Sequence, residues 1–152
     1  HAIVSAGGDL RAIGRHGKRP WGIGIRHPRV DGLVAWLEIE DGEAVFTSGD
    51  YERFFIYQGK RYQHIIDPRN GYPVSQTVSA TVVHHQGDLA DAAATALVVA
   101  GPDEWVKVAH SMGIDQAMII DAGGRIYISP RLAERIRFTG VPAEKIEVAN
   151  DW

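Results

Sequence analysis

Short stretches of alternating apolar and polar residues run along most of the chain, a pattern typical of half-buried β-strands. Several stretches are followed by a glycine-containing dipeptide, which is the usual composition of a tight turn. The sequence therefore predicts a series of strands and hairpins. They are expected as a strand and turn at residues 2–8, a hairpin of strands 33–39 and 44–47 around Asp41–Gly42, a hairpin at 51–66 around Gln58–Gly59, and a hairpin at 117–129.

Helical composition is confined to a few segments. In GDLADAAATALVVAG, Asp88 can cap the first turn, alanines fill the interior and Gly101 can end the helix. A second helix is predicted for residues 103–112, directly after Pro102, and a short third one follows Ser129. Because strands and helices do not alternate regularly, we expect an α+β fold with a mixed or antiparallel sheet, hairpins and two to three helices.

Length, charge and composition limit the possible functions. The 152 residues suffice for one domain, which we place at residues 1–140, with a polar tail at 141–152. A net charge of −3 gives no electrostatic basis for nucleic-acid binding. The chain has no cysteine, which excludes disulfides and thiolate metal sites. It also lacks an apolar run of about 18 residues, the length that would span a membrane.

One pair of residues on the main predicted helix has the chemistry of a metal site. Asp91 and Thr95 are four residues apart, so their side chains share one face. A carboxylate and a hydroxyl are hard oxygen ligands that suit Mg²⁺ when phosphate oxygens complete its shell. The spacing also fits a local role, in which Asp91 stabilises the first turn and Thr95 bonds to its own helix. The sequence alone leaves both interpretations open.

Three loops contain further candidate residues. In HIIDPRNGYP, residues 64–73, two prolines and a glycine constrain the chain around His64 and Asp67. An imidazole there could transfer a proton or bind phosphate, or it could simply be structural. Two turns, 7–9 and 47–50, could direct backbone N–H groups at a phosphate, or could be ordinary connections.

Four motifs, SAGGDLRAIG, TSGDYERFF, HIIDPRNGYP and LADAAATAL, occur in this order and closely resemble the FAD:protein FMN transferase (ApbE-like flavin transferase) family over residues 2–138. The resemblance implies a transferase that cleaves the pyrophosphate of FAD with Mg²⁺. It moves the FMN moiety to a threonine or serine hydroxyl of an acceptor protein, and it releases AMP.

The resemblance also assigns roles to residues. Asp91 and Thr95 match the metal ligands of the family. His64 matches a histidine near the pyrophosphate and is the catalytic candidate, together with Asp67, which holds its loop. The FAD-binding candidates are Gly7, Gly8, Asp9, Thr47, Ser48, Gly49, Asp50 and His64.

Members of this family are about twice as long, and the additional half is N-terminal. The resemblance implies that this half supplies flavin contacts and a backbone carbonyl to the metal, so we expect an incomplete domain that is inactive alone. The expected partners are FAD, the acceptor protein, the missing half and, through exposed sheet edges, further copies of the chain. A lipid-anchored parent on the periplasmic side of a bacterial envelope is implied as well. A non-catalytic flavin- or nucleotide-binding module and a structural interaction domain are the alternatives.

Overall fold

A seven-stranded sheet lies at the centre of the computed structural model, which describes all 152 residues. The strands are β1 (Ala2–Ala6), β2 (Asp9–Ile13), β3 (Trp21–Arg26), β4 (Leu33–Ile39), β5 (Ala44–Gly49), β6 (Phe54–Tyr57), β7 (Lys60–Gln63), β8 (Ile66–Asp67), β9 (Tyr72–Pro73), β10 (Thr77–His84), β11 (Ala117–Asp121), β12 (Ile126–Ile128), β13 (Ile136–Phe138) and β14 (Ile146–Val148). The helices are α1 (Gly87–Ser111), α2 (Pro130–Ala133) and a 3₁₀ turn (Ala143–Lys145).

The large sheet has the strand order β1-β2-β5-β10-β11-β12-β14, and only the β12–β14 pair is parallel. A three-stranded sheet, β13-β4-β3, packs on one face, and α1 lies across β5, β10 and β11 on the other. Two helices with mixed and antiparallel sheets confirm the predicted α+β class. Neither helix is long and apolar enough to cross a membrane.

Strand β10 separates two hydrophobic cores. Successive residues of a strand point to opposite faces, so Val82 packs under α1 whereas Val83 packs against the smaller sheet. Leu97 belongs to the helix-side core and Leu37 to the core between the sheets, and all four side chains are fully buried. Strand β10 is buried on both faces although its sequence, TVSATVVH, mixes apolar residues with threonine and serine, so its burial is not evident from an apolar run.

The predicted hairpin of residues 33–47 is wrong, although both strands exist. Strand β4 pairs with β3 and β13, whereas β5 pairs with β2 and β10, so the two lie in different sheets. The turn between them, closed by the Glu43 N–H bonding to the Glu40 carbonyl at 3.2 Å, passes the chain from one layer to the other. Leu37 of β4 and Val45 of β5 then belong to the same core between the two sheets, and burial of this apolar surface stabilises the arrangement.

The two predicted helices on either side of Pro102 are both present and follow each other directly across a non-helical break, and we label them together α1. Gly101 has φ 73° and ψ 178°, which is not helical, and Pro102 has no N–H to donate. The residue that caps α1 is Gln86, and Asp88 lies inside the first turn, so the predicted cap is wrong.

The segment expected to be a polar tail, residues 141–152, is folded against the rest of the chain. Strand β14 extends the large sheet, and Ile146 packs at the edge of the core between the sheets. The Trp152 ring lies 5.2 Å from the ring of Trp105 on α1. A few apolar residues at suitable positions are sufficient to order this segment despite its polar composition.

Candidate functional site

Residues from two separate motifs meet where β5 passes beneath the first half of α1. The Ser48 and Thr95 hydroxyl oxygens are 2.9 Å apart, although the residues are 47 positions apart in the sequence. Ser48 faces the helix because the strand alternates, and the adjacent Thr47 faces the other layer, where its hydroxyl contacts that of Thr81 at 2.9 Å. Asp91, one turn before Thr95 on α1, has an exposed side chain.

Asp9, at the start of β2, brings a second carboxylate to the same place. Its Oδ1 accepts a hydrogen bond from the Thr47 N–H at 3.1 Å. Burial raises the pKa of Asp9, and the negative charges of Asp91 and Glu52 raise it further, whereas the Thr47 N–H acts in the opposite direction. Negative charge therefore accumulates beside the Ser48–Thr95 contact, and a bound cation would relieve this repulsion.

The chain does not by itself form a closed metal cage, because no three His, Cys, Asp or Glu side chains lie close enough to hold an ion. The donors at this place are the Asp91 carboxylate and the hydroxyls of Thr95 and Ser48. Mg²⁺ prefers such hard oxygens, takes only one or two protein carboxylates, and usually keeps waters or substrate phosphate oxygens. The residues therefore fit an ion that is bound together with a phosphate-bearing ligand.

The Gly7–Gly8 turn connects β1 and β2 beside this group. Both glycines have positive φ, 66° and 104°, which this tight turn requires. Together with Thr47 they border a cleft of about 280 Å³ whose opposite side carries Arg26 and Tyr51. The Arg26 guanidinium lies 4.8 Å from the centre of the Tyr51 ring and 3.8 Å from the Glu52 carboxylate, which also lines the cleft, so this side is aromatic and carries a paired charge.

Residues 47–49 belong to strand β5, so the predicted turn at 47–50 is wrong, and two residues of this segment have structural roles. Asp50 is buried, and its carboxylate accepts hydrogen bonds from both terminal nitrogens of Arg29 at 2.7 and 2.6 Å. A side chain at Gly49 would place its Cβ only 2.4 Å from the ring of Tyr51, so the position has no room for a larger residue. Asp50 therefore fixes the end of β5, and the Arg29 partner carried no signal in the sequence.

His64 follows β7 directly, and its side chain is exposed. Its backbone N–H and its Nδ1 both lie 3.1 Å from the carbonyl oxygen of Arg53. A carbonyl can only accept, so Nδ1 carries the hydrogen and Nε2 has a free lone pair. This arrangement leaves Nε2 able to take a proton from a ligand.

Asp67 holds the loop that follows His64. Its carboxylate accepts three hydrogen bonds of 2.9 Å from Arg69, one from the backbone N–H and two from the guanidinium. These hydrogen bonds lower the pKa of Asp67 because they stabilise its charged form. The carboxylate is thus engaged within the loop, which favours positioning over proton transfer.

Arg69 joins this loop to α1, a contact that the sequence analysis missed. It donates to the Val99 carbonyl at 3.0 Å and to Glu104 at 2.6 Å. Val99 lies just before the break at Gly101, where the last carbonyls of the helical segment lack their usual helical donors. A guanidinium at this point also meets the negative end of the helix dipole.

The candidate residues therefore form two groups along α1. Asp9, Ser48, Asp91 and Thr95 lie together, and the His64 loop is anchored at Val99, about 6 Å further along the helix axis. No hydrogen bond links His64 to the first group. The sequence predicted the members of both groups, and the structure shows how they are held.

This topology and this oxygen-lined site define an ApbE-type α+β domain. Residues 1–120 match the model of the ApbE family, and the chain belongs to this family. It is 42% identical over 144 residues to the FAD:protein FMN transferase of Rhodobacter capsulatus, covering 93% of this chain and 28% of that protein. It is 41% identical over 133 residues to the FAD:protein FMN transferase of Vibrio cholerae, covering 84% of this chain and 40% of that protein.

Solved structures agree with this assignment. The ApbE protein of Thermotoga maritima superimposes with a TM-score of 0.81 at 39% identity, over 90% of this chain and 45% of that one. The flavinyl transferase ApbE of Pseudomonas stutzeri gives a TM-score of 0.70 at 34% identity, over 91% of this chain and 44% of that one. The chain thus spans less than half the length of these relatives, as its motifs predicted.

Proposed function

We propose that this chain carries the metal- and pyrophosphate-binding part of a Mg²⁺-dependent FAD:protein FMN transferase. The observation that carries the proposal is the meeting of Ser48 and Thr95, with Asp9 and Asp91 beside them. Two relatives with 41% and 42% identity bear the name of this activity. The site also has the oxygen donors and the negative charge that attract a divalent cation, and such a cation keeps positions for phosphate oxygens.

Each group of residues has a role in this reaction. Asp91, Thr95 and Ser48 would hold Mg²⁺, and the ion would supply positive charge to stabilise the pyrophosphate. The N–H groups of the Gly7–Gly8 turn face the phosphates.

The transfer itself is a displacement at phosphorus. The oxygen of an acceptor threonine or serine forms a bond to the FMN phosphorus, and the bond from that phosphorus to the AMP oxygen breaks. The electron pair leaves with AMP. His64 Nε2 takes the proton of the acceptor hydroxyl, while the Arg53 carbonyl keeps the hydrogen on Nδ1. Asp67 acts as a positioning residue through Arg69.

Replacement of Asp91 by alanine tests the metal role. The 152-residue chain and a fusion of it to the N-terminal half of the Thermotoga maritima ApbE protein are incubated with FAD, Mg²⁺ and an acceptor protein. Covalent flavin fluorescence and AMP release are measured. We expect Asp91→Ala to lower transfer at least about 100-fold, because a metal ligand contributes several kcal/mol to transition-state stabilisation.

Asp88→Ala is the matched control, since Asp88 is also acidic, exposed and in the first turns of α1. It should change transfer by less than about threefold. Calorimetry supplies a second readout: FAD binding to the Asp91→Ala protein should no longer depend on Mg²⁺. Retention of that dependence would remove Asp91 from the metal site.

A non-catalytic flavin-binding module is the second candidate, and the observation that favours it is that no hydrogen bond links His64 to the group of Ser48 and Thr95. On this reading the chain binds FAD with Mg²⁺, yet neither the chain nor its fusion releases AMP when the acceptor is present. AMP release by the fusion alone would assign catalysis to the complete domain.

A further inference from the structure

The hairpin β6–β7, residues 54–63, forms a two-stranded sheet of its own and exposes apolar side chains. Phe55, Ile56 and Tyr57 are 62%, 64% and 59% exposed, and Phe54 is 43% exposed. A contiguous apolar surface of this kind is uncommon on a folded domain unless a partner or a further part of the same protein covers it. We refer to this element as the aromatic hairpin.

The aromatic hairpin has a defined conformation. Gln58 and Gly59 have φ values of 49° and 75°, which form the tight turn that matches the twist of the two strands. The rings of Phe55 and Tyr62 stack across the strands at 5.1 Å with an angle of 7° between their planes. A surface that is ordered in this way loses little conformational entropy when it binds a partner.

The open end of the aromatic hairpin, where Phe54 pairs with Gln63, is attached to the candidate site. Arg61 lies 3.7 Å above the Phe54 ring and also donates to the Asp50 carbonyl at 3.4 Å. At the same end, buried Gln63 donates to the Val74 carbonyl at 2.7 Å, and the next residue is His64. A partner on this hairpin would therefore lie directly beside the candidate base.

The charge of this region is opposite to that of the whole chain. Residues 53–66 contain Arg53, Lys60 and Arg61 and no aspartate or glutamate, whereas the chain has a net charge of −3. Lys60 forms no ion pair, and its Nζ lies 5.5 Å from the Tyr62 ring. Aromatic side chains with unpaired cations favour a partner that carries apolar and acidic residues.

We propose that the aromatic hairpin is the docking surface for the acceptor protein, and that it binds an extended segment rich in apolar and acidic residues. Strand β6 pairs with β7 on one side only, so its other edge has free N–H and C=O groups to which such a segment can add as a strand. A segment that follows this edge reaches Arg53, whose carbonyl bonds to His64, so its hydroxyl arrives at the base. This inference rests on the proposed transferase function.

A labelled peptide composed of Asp, Thr and Phe tests the docking surface, and a peptide with Lys in place of Asp is the comparison. Binding to the 152-residue chain is followed by fluorescence anisotropy. We expect Lys60→Glu to lower the affinity for the acidic peptide about fivefold, because it replaces an attraction between charges with a repulsion. Tyr57→Ser should lower the same affinity about tenfold, because an aromatic side chain of the interface is lost. Added salt should also weaken it.

Lys18→Glu is the matched control, since Lys18 is equally a lysine without an ion pair and lies outside residues 53–66. It should leave peptide binding unchanged. Equal affinity for the acidic and basic peptides, or equal effects of Lys60→Glu and Lys18→Glu, would overturn the proposal. Binding to phosphatidylserine-containing vesicles without peptide binding would assign the surface to a membrane and overturn it as well.

Calorimetry with FAD and Mg²⁺ separates this proposal from the proposed function. If FAD and Mg²⁺ bind and transfer occurs, but hairpin variants do not raise the KM for the acceptor, only the docking surface is wrong. If the peptide binds and responds to Lys60→Glu while FAD does not bind, the transferase function is wrong.

Discussion

Arg135 links the two sheets through a largely buried carboxylate, and its removal should destabilise the protein strongly. It donates to both oxygens of Glu43 at 2.8 and 2.7 Å, to the Glu38 carbonyl at 3.0 Å, and to Gln116. The Glu43 side chain is 5% exposed and that of Arg135 is 23% exposed. The pair therefore joins the turn between β4 and β5 to the chain before β13.

The substitution Arg135→Met keeps an apolar stem and removes the guanidinium. Glu43 is then left without a cation, and its remaining donors are the Glu40 N–H at 2.7 Å and the side-chain amide of Gln116. Removing one partner of a buried ion pair costs about 3–5 kcal/mol. Because Arg135 is partly exposed, water can replace some of its hydrogen bonds, so we expect the free energy of unfolding to fall by about 3 kcal/mol. With an m-value of about 2 kcal/mol/M, the urea midpoint should fall by about 1.5 M at neutral pH.

The loss should depend on pH. Burial raises the pKa of Glu43, but the hydrogen bonds from Arg135 and the Glu40 N–H outweigh it, so the folded pKa is below the ordinary value. The pair therefore stabilises the protein fully above the ordinary glutamate pKa of about 4.3 and loses this contribution as pH falls through the lowered value. In Arg135→Met, burial raises the pKa of Glu43, so its protonation near pH 4 relieves the unpaired charge.

Urea unfolding followed by circular dichroism at pH 7 and near pH 4 measures both effects. Arg131→Met is the control, because Arg131 forms an exposed pair with Asp115 and should cost no more than about 1 kcal/mol. The double variant Arg135→Met, Glu43→Leu should regain most of the free energy of unfolding that Arg135→Met loses, because no unpaired charge remains buried. The reasoning is refuted if Arg135→Met costs no more than the control, or if its cost is the same at both pH values.

Three further substitutions test the site and its support. Thr95→Val removes the hydroxyl that contacts Ser48, so we expect transfer to fall at least about tenfold by flavin fluorescence, with about 1 kcal/mol lost in urea unfolding; unchanged transfer would exclude a ligand role. Arg69→Leu releases the loop from α1, so proteolysis within residues 67–73 should become faster and kcat lower, while the Kd for FAD stays constant. Gly101→Ala places a Cβ 2.9 Å from the Gln76 amide oxygen at a φ of 73°, and should lower the free energy of unfolding by about 1–2 kcal/mol. An unchanged free energy of unfolding would show that the break tolerates a side chain at this position.

Local elements of this fold were predictable because their signals are local. The alternating pattern of residues 33–39 matches β4 to the residue, and the Gln58–Gly59 turn joins β6 to β7 as expected. The pairing of β4 with β5 was not predictable in the same way. A short turn allows either a hairpin or a passage between layers, and the choice depends on cores formed with strands far away in the sequence.

The candidate site was likewise predictable only in its local features. The spacing of Asp91 and Thr95 placed them on one helical face, but their approach to Ser48 depends on how α1 packs across β5. The partners that hold the site in place, Arg29 and Arg69, were missed. Their role depends on contacts with Asp50 and α1 that no local pattern encodes, although Arg69 lies within the most distinctive motif of the chain.

The break in α1 gives the helix a function that an uninterrupted helix would lack. In a continuous helix the Val99 carbonyl would accept a hydrogen bond from a backbone N–H one turn later. The break at Gly101 removes that donor, so the carbonyl accepts from Arg69 instead. The break in α1 thereby anchors the loop that follows His64. Sequence changes that straighten or shift this break should loosen the loop of Asp67 and Arg69 without changing any residue that is proposed to bind the substrate.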